Sequence, residues 1–177
     1  MSGPTPRSGI MDITPYVGGE SSLEGQGRVI KLSSNENAFG PSPLAQAAYT
    51  EAAQELHRYP DGGCSRLRDA IAGLNGLDVG RIVCGAGSDE IISLLCQAYA
   101  GPGDEVLYSE HGFLMYPISA KAAGATPVFA RESNLTSDVD ALLDKVSENT
   151  RLLFLANPNN PTGTYLSGDE LWRLRRV

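Results

Sequence analysis

Long apolar runs are missing from this sequence. No stretch approaches the roughly 20 apolar residues that a membrane-spanning helix needs, and the first thirty residues alternate glycine, serine, proline and charge without the apolar centre of a leader segment. A membrane partner is therefore not expected. Basic residues are also scarce: 14 Lys and Arg stand against 21 Asp and Glu, a net charge of −7, and only Arg173, Arg175 and Arg176 cluster. That balance argues against nucleic acid as a partner. The cysteines, Cys64, Cys84 and Cys96, are odd in number and lack metal-ligand spacing. The two histidines, His57 and His111, have no paired carboxylate or mutual spacing that would suggest a metal site or a triad, and both read as structural. No metal is expected, and free thiols fit a reducing compartment, with the cytoplasm as the expected location.

What is present is a globular composition, 41% hydrophobic and 20% charged. Residues 1–27 are rich in Gly, Ser and Pro and read as an extended arm with one apolar island, Ile10 to Val17. Beyond it, short β-branched or apolar runs alternate with helical patterns. Strands are predicted at Val29–Leu32, Arg81–Gly85, Glu105–Tyr108, Thr126–Ala130 and Arg151–Ala156; the last four start about 20 to 25 residues apart, the length of a βαβ unit. The expected fold class is α/β, a mostly parallel sheet with helices on both faces.

Helix ends are legible as well. Ser42 before Pro43 predicts a cap and first-turn proline for a helix over Leu44–His57, and Leu67, Ile71 and Leu74 repeat at helical spacing. Ser88 precedes the broad apolar face Ile91, Ile92, Leu94, Leu95 and Ala98, which ends at the turn Gly101-Pro102-Gly103-Asp104. A helix over Leu114–Ala123 stops at Gly124, and Ser137 is expected to open another with Val139, Leu142, Leu143 and Val146 inward. Ser167 and Glu170 have capping-box spacing for a last helix over Leu171–Val177. That helix has no stop signal, so continuation past Val177 is expected.

Two segments carry chemistry. Gly85-Ala86-Gly87-Ser88-Asp89-Glu90 joins a predicted strand to a helix, where free amides and the positive end of the helix dipole receive phosphate. Two glycines there are also common for steric reasons. A dinucleotide reading is open too, with Glu110 about 20 residues on as the ribose ligand, although Glu90 stands where the third glycine belongs. The second segment, Asn157-Pro158-Asn159-Asn160-Pro161-Thr162-Gly163, follows a strand. Its two prolines remove two donors and fix the backbone, so that asparagine side chains are presented rigidly at a ligand-binding edge.

Asn160-Pro161-Thr162-Gly163 resembles the NPTG loop of fold-type I pyridoxal-phosphate aminotransferases. Leu32-Ser33-Ser34-Asn35-Glu36-Asn37 with Gly40-Pro41-Ser42-Pro43, Arg58-Tyr59-Pro60-Asp61, the Gly85–Glu90 turn and Pro102-Gly103-Asp104-Glu105-Val106 are similar, in order and spacing, to the histidinol-phosphate branch of that family. The likeness runs from about Thr14 to the last residue. It implies residues 1–40 as an N-terminal arm and small-domain segment, and residues 41–177 as a partial large domain that binds pyridoxal 5'-phosphate.

By the same resemblance, Asn160 would bond the cofactor's ring hydroxyl, with the peptide to Pro161 cis, and the amides of Ser88 and Asp89 would take its phosphate. Phe113 would stack on the ring where the family commonly has Tyr. Tyr59 would reach a partner's cofactor phosphate, implying a homodimer, and Tyr16 and Asn37 would contact substrate. Without the resemblance, Phe113 and Tyr116 read as core aromatics, Tyr59 as a packed loop residue, and Glu36 and Glu90 as loop or helix-end anchors.

The implied activity is amino transfer between histidinol phosphate and 2-oxoglutarate or glutamate in histidine biosynthesis, with aromatic amino acids as related substrates. A threonine-phosphate decarboxylase on the same scaffold and a stand-alone nucleotide-binding α/β module are the alternatives. Transamination requires a lysine that links to the cofactor. Lys31, Lys121 and Lys145 lack the Ser-x-Ser-Lys context of the family, so the catalytic lysine is expected outside this chain, and the 177 residues alone are expected to be inactive.

Overall fold

The computed structural model describes residues 5–18, 24–25, 30–31 and 34–176. Its contacts group the chain into two compact units, one of Met1–Tyr16 with Gly85–Val177 and one of Val17–Cys84. The boundary expected at residue 40 falls inside the second unit.

The first unit is built on a three-stranded parallel sheet in the order β2-β1-β5, with β1 at Glu105–Ser109, β2 at Thr126–Ala130 and β5 at Thr150–Phe154. Leu107 pairs with Val128 on one side and Leu153 on the other. Successive residues of a strand face opposite ways, so Val106 and Leu107, both with no exposure, feed two cores. Val106 packs with Cys96, Ala120, Ala123 and Ala125 beneath helices α3 (Gly87–Tyr99) and α4 (Met115–Ala123). Leu107 packs with Ala130 and Leu142, and partly buried Leu174, beneath α5 (Val139–Lys145) and α6 (Gly168–Arg175). The expected α/β class, with helices on both faces of a parallel sheet, is what these two cores build. Pro127 sits in β2, an edge strand, where a missing donor is tolerated.

Local signals set the element ends. Gly124 takes the left-handed conformation at φ 89° and donates to Ala120 and Lys121, closing α4. Pro117 lies in that helix's first turn, where no intrahelical donor is needed. Ser167 caps α6 by accepting from the Glu170 amide at 3.3 Å. Other signals were misplaced. Asp138, not Ser137, caps α5 by accepting from Ala141 N–H at 3.1 Å, because Ser137 is taken up in a short hairpin. Val146 lies beyond that helix and is exposed. That hairpin, β3 (Glu132–Ser133) with β4 (Thr136–Ser137), turns through Asn134 and Leu135, both at positive φ.

Two predicted strands do not form a ladder. Of Arg81–Gly85, Arg81 ends a 3-10 turn and Ile82–Gly85 pairs with none of the described strands, with Val83 largely exposed. Of Val29–Leu32, Val29 and Leu32 lie outside the described residues, and Ile30–Lys31 is not strand.

The second unit holds α1 (Pro43–Ala52), α2 (Ser65–Asn75) and two single 3-10 turns, Ala53–Glu55 and Val79–Arg81. Pro43 is the first helical residue as expected, but the Ser42 side chain makes no capping bond, and α1 is shorter than predicted because its last turn tightens into the 3-10 turn. Asp61 ties the approach to α2: its carboxylate accepts from the amides of Gly63 at 2.9 Å and Ser65 at 2.7 Å. Those bonds, Ser65's first, hold the Asp61 carboxyl below its usual range. No helix among the described residues is long and apolar enough to cross a membrane.

Candidate functional site

The sheet brings three loops to one edge. The turn at Gly101–Asp104 reverses the chain between α3 and β1. A 13-residue helix rises about 20 Å and a five-residue strand about 17 Å, so the start of α3 returns to the level where β1 and β5 end. In open parallel sheets this C-terminal edge is where ligands lie.

At the start of α3, Ala86 is the cap residue and supplies no side-chain bond. The first four amides of a helix, counted from the cap residue, have no intrahelical partner. Gly87 N–H is used locally, on Gly85 O at 2.9 Å, and the Glu90 carboxylate takes Ala86 N–H at 2.6 Å. The amides of Ser88 and Asp89 remain without a partner among the described residues, beside a helix dipole that favours an anion. These are the two amides named from the sequence. Gly85 permits the close fold of this turn: a Cβ there would lie 2.9 Å from both Glu90 Oε2 and Ile91 Cδ1. Glu90 is thus the helix-end anchor expected. Glu110, the ribose candidate of the dinucleotide reading, accepts from Glu132 N–H at 3.5 Å.

After β5, the Asn-rich loop carries two cis peptides, Asn157-Pro158 and Asn160-Pro161, the second as expected. Its three asparagines do different work. Asn157 clamps Leu166 by two bonds, Nδ2 donating to Leu166 O at 3.2 Å and Oδ1 accepting from Leu166 N–H at 2.8 Å. Asn159 is buried; its Nδ2 donates to His111 O at 3.2 Å and Thr162 Oγ1 at 3.0 Å, and its amide donates to Thr164 O at 2.8 Å. Asn160 is exposed, and its side chain makes no hydrogen bond among the described residues. Two amides are consumed in stiffening the loop, and the third is left presented at the edge.

The segment following β1 supplies the flat surface. Phe113 is half-buried and meets Tyr116 edge-on, centroids 6.0 Å apart at 88°. Tyr116 is a core residue, stacked on Phe154 at 5.0 Å and 5°. Burial pushes the phenols of Tyr108 and Tyr116 up, away from ionisation. Gly112 holds this segment tight. A Cβ would lie 2.8 Å from Ser109 O and 3.2 Å from the rings of Tyr108 and Tyr116. Because a backbone carbonyl cannot swing aside as a flexible side chain can, Gly112→Ala is expected to cost about 2 kcal/mol. A chemical denaturation curve checks this; a midpoint equal to that of the parent would show that the segment is not so confined.

His111 was read as lacking a carboxylate partner, and the structure corrects this. Its Nδ1 lies 3.0 Å from Glu132 Oε2, a residue 21 positions away that no sequence spacing links to it. Tyr16 is about half exposed and lines a pocket of about 200 Å³ with Ile13, Leu114, Ile118 and Lys121. The arm is held there by Arg7 donating to Ala122 O at 2.6 Å and Lys121 Nζ donating to Asp12 O at 3.1 Å. Tyr59 and Asn37 belong to the second unit. Tyr59 is fully exposed; Asn37 is engaged in its own turn, Oδ1 accepting from Phe39 N–H and Nδ2 donating to Gly40 O. Lys31 is paired with Glu36.

A paired set of orphan amides, a free asparagine amide and an aromatic ring on one edge suit a small planar molecule with a phosphate at one end. The pyridoxal 5'-phosphate expected from the sequence is such a molecule, and the residues present fit it.

The architecture is that of the fold-type I aminotransferases, seen in part. The family model for aminotransferase class I and II matches residues 27–177, and the chain belongs to that family. It is 66% identical over 175 residues to a histidinol-phosphate aminotransferase of Paramagnetospirillum magneticum, covering 99% of this chain and 48% of that protein. It is 63% identical to one of Rhodospirillum centenum, covering 98% and 48% respectively. A crystal structure of histidinol-phosphate aminotransferase from Sinorhizobium meliloti in complex with pyridoxal-5'-phosphate superposes with a TM-score of 0.77 at 27% identity, over 81% of this chain and 39% of that one. The chain thus spans about half the length of the curated relatives it matches.

Proposed function

We propose that this chain is the front half of the cofactor site of a pyridoxal-phosphate-dependent aminotransferase that exchanges the amino group between histidinol phosphate and 2-oxoglutarate or glutamate, in histidine biosynthesis. What supports the reading is the free Ser88 and Asp89 amides at the start of α3 together with the free Asn160 side chain in the loop after β5, which the run of α3 and of the strands carries to the same end of the sheet. Identity of 57–66% to proteins named histidinol-phosphate aminotransferase supports the choice of substrate.

Pyridoxal phosphate, when bound, supplies the electron sink that the amino transfer needs. The amides of Ser88 and Asp89, with the α3 dipole behind them, hold the phosphate dianion. Asn160 orients the ring through its hydroxyl oxygen, and Phe113 covers a ring face and keeps water from it. Tyr59 is assigned to the phosphate of a partner subunit in a cytoplasmic homodimer, and Tyr16 and Asn37 to the substrate. Residues 1–40 are assigned to the arm and small domain, and 41–177 to part of the large domain. The linking lysine, the acid facing the pyridine nitrogen and the arginine for the substrate carboxylate are assigned to the half of the relatives' length that this chain does not span.

The test is to incubate the full-length protein, loaded with pyridoxal phosphate, with histidinol phosphate and 2-oxoglutarate. Glutamate release that depends on both substrates is the expected result. Carbon dioxide release from threonine phosphate without glutamate would replace this reading by the decarboxylase, and saturable NAD binding without pyridoxal phosphate binding would replace it by a nucleotide module.

A further inference from the structure

Glu132 stands apart from every residue assigned so far. It lies in a hairpin of only two residue pairs, yet its side chain is 1% exposed. Burying a carboxylate is unfavourable unless its oxygens are satisfied. Here both are satisfied by one residue: Oε1 accepts from the backbone N–H of His111 at 3.1 Å, and Oε2 lies 3.0 Å from His111 Nδ1. A carboxylate only accepts, so the imidazole carries its proton on Nδ1. This two-point grip fixes the His111 backbone as well as its ring.

The grip continues into the asparagine loop. His111 O accepts from Asn159 Nδ2, which also donates to Thr162 Oγ1. Thr162 Oγ1 lies 2.7 Å from Thr164 Oγ1, and Thr164 Oγ1 donates to Leu135 O at 2.7 Å, at the turn of the same hairpin. Each hydroxyl can accept once and donate once in the same sense, from Asn159 through Thr162 and Thr164 to Leu135. The bonds leave the hairpin at Glu132 and return to it at Leu135, closing a ring. Among the described residues, the Asn159 bond to His111 is the only hydrogen bond joining the segment after β1 to the loop after β5. Those are the two segments that carry Phe113 and Asn160.

We infer that Glu132 and His111 are a positioning pair that sets the spacing between Phe113 and Asn160, the two sides of the slot for the cofactor ring. His111 lies two residues before Phe113 and is bonded to the neighbour of Asn160, so one locked backbone fixes both. The inference rests on the cofactor reading of Phe113 and Asn160. Neither Glu132 nor His111 needs to touch the cofactor.

The experiment uses the full-length protein with the variants Glu132→Ala, His111→Ala, His111→Asn and the double alanine variant. Three quantities are read: the apparent affinity of the apoprotein for pyridoxal phosphate, the absorbance maximum of the bound cofactor, and the melting temperature of the apoprotein. The His111 ring is half exposed, so His111→Ala removes it without leaving a large cavity. Each alanine variant is expected to weaken the affinity about fivefold and to shift the absorbance maximum. The double variant should be no weaker than Glu132→Ala alone, since removing the carboxylate already removes the bond to the His111 ring. His111→Asn, whose Nδ2 can replace Nδ1 as donor, should restore the parent affinity. Parent affinity in His111→Ala, or losses that only follow a fall in apoprotein melting temperature, would overturn the inference and leave the cofactor reading standing. A parent protein that does not bind pyridoxal phosphate would remove the reading itself and this inference with it.

Discussion

In the full-length protein, Asn160→Ala is expected to weaken pyridoxal phosphate binding roughly thirtyfold, the loss of one hydrogen bond to a charged oxygen, while the apoprotein melts as before. The separation of the two effects follows from the loop. The Asn160 side chain makes no hydrogen bond among the described residues, so its truncation leaves the Asn157 clamp on Leu166 and the Asn159 bond to His111 untouched. Asn157→Ala should do the reverse and lower the melting temperature first, because it frees the Leu166 amide and carbonyl together. Absorbance titration of the apoprotein and a thermal melt of each variant measure both quantities. Equal affinity in Asn160→Ala and the parent would mean that this amide faces no cofactor, and the assignment of the edge would fail.

The residue pattern alone carried the α/β class, because strands of the parallel sheet are set off by punctuation with a local physical cause. β2 begins directly after Gly124 and Ala125, and β1 directly after the Gly101–Asp104 turn. What the pattern could not carry is pairing. Arg81–Gly85 has the composition of a strand, but a strand exists only in a ladder, and this segment pairs with none of the described strands. The apolar stripe of α2 shows the same limit: Leu67 and Leu74 repeat at the right spacing and remain exposed, since amphipathic spacing says which face wants cover and not what provides it. The β3–β4 hairpin escaped notice for a different reason. Two residues per strand are too few for an alternation to be read, and Leu135 at positive φ is an unusual occupant of a tight turn.

The candidate site was legible in part, and the dividing line is chain distance. Ser88, Asp89 and Asn160 lie within short runs whose residue order is itself informative, and the structure supplies the reason those positions and not their neighbours are free. Glu132 lies in a run with no such order and acts only across the fold. Its tie to His111 links residues brought together because β1 and β2 are parallel neighbours, Ser109 standing opposite Ala130 with both chains leaving the sheet at that level. Partners that meet only through strand register leave no local trace.

That register rests on Leu107, and its replacement by alanine is the most disruptive single change expected in the core. Leu107 sits in the middle strand, without exposure, between Val128 and Leu153 in register and against Ala130 and Leu142 in the layer beneath α5 and α6. The cavity left by Leu107→Ala cannot be filled cheaply: the methyl groups of Ala130 and Ala141 cannot reach into it by rotating, and Leu142 is held by the helix backbone. The expected loss is about 3 kcal/mol, which for a chain of this size lowers the melting temperature by roughly 10 °C. Phe129→Ala, one position from Ala130 on the edge strand and half exposed, removes more atoms and should cost about 1 kcal/mol, because water already reaches the ring. Thermal and denaturant melts of the two variants give the ordering. If Phe129→Ala proved the more damaging, β1 would not be the buried centre of the sheet, and the edge that collects Ser88, Phe113 and Asn160 would have to be drawn elsewhere.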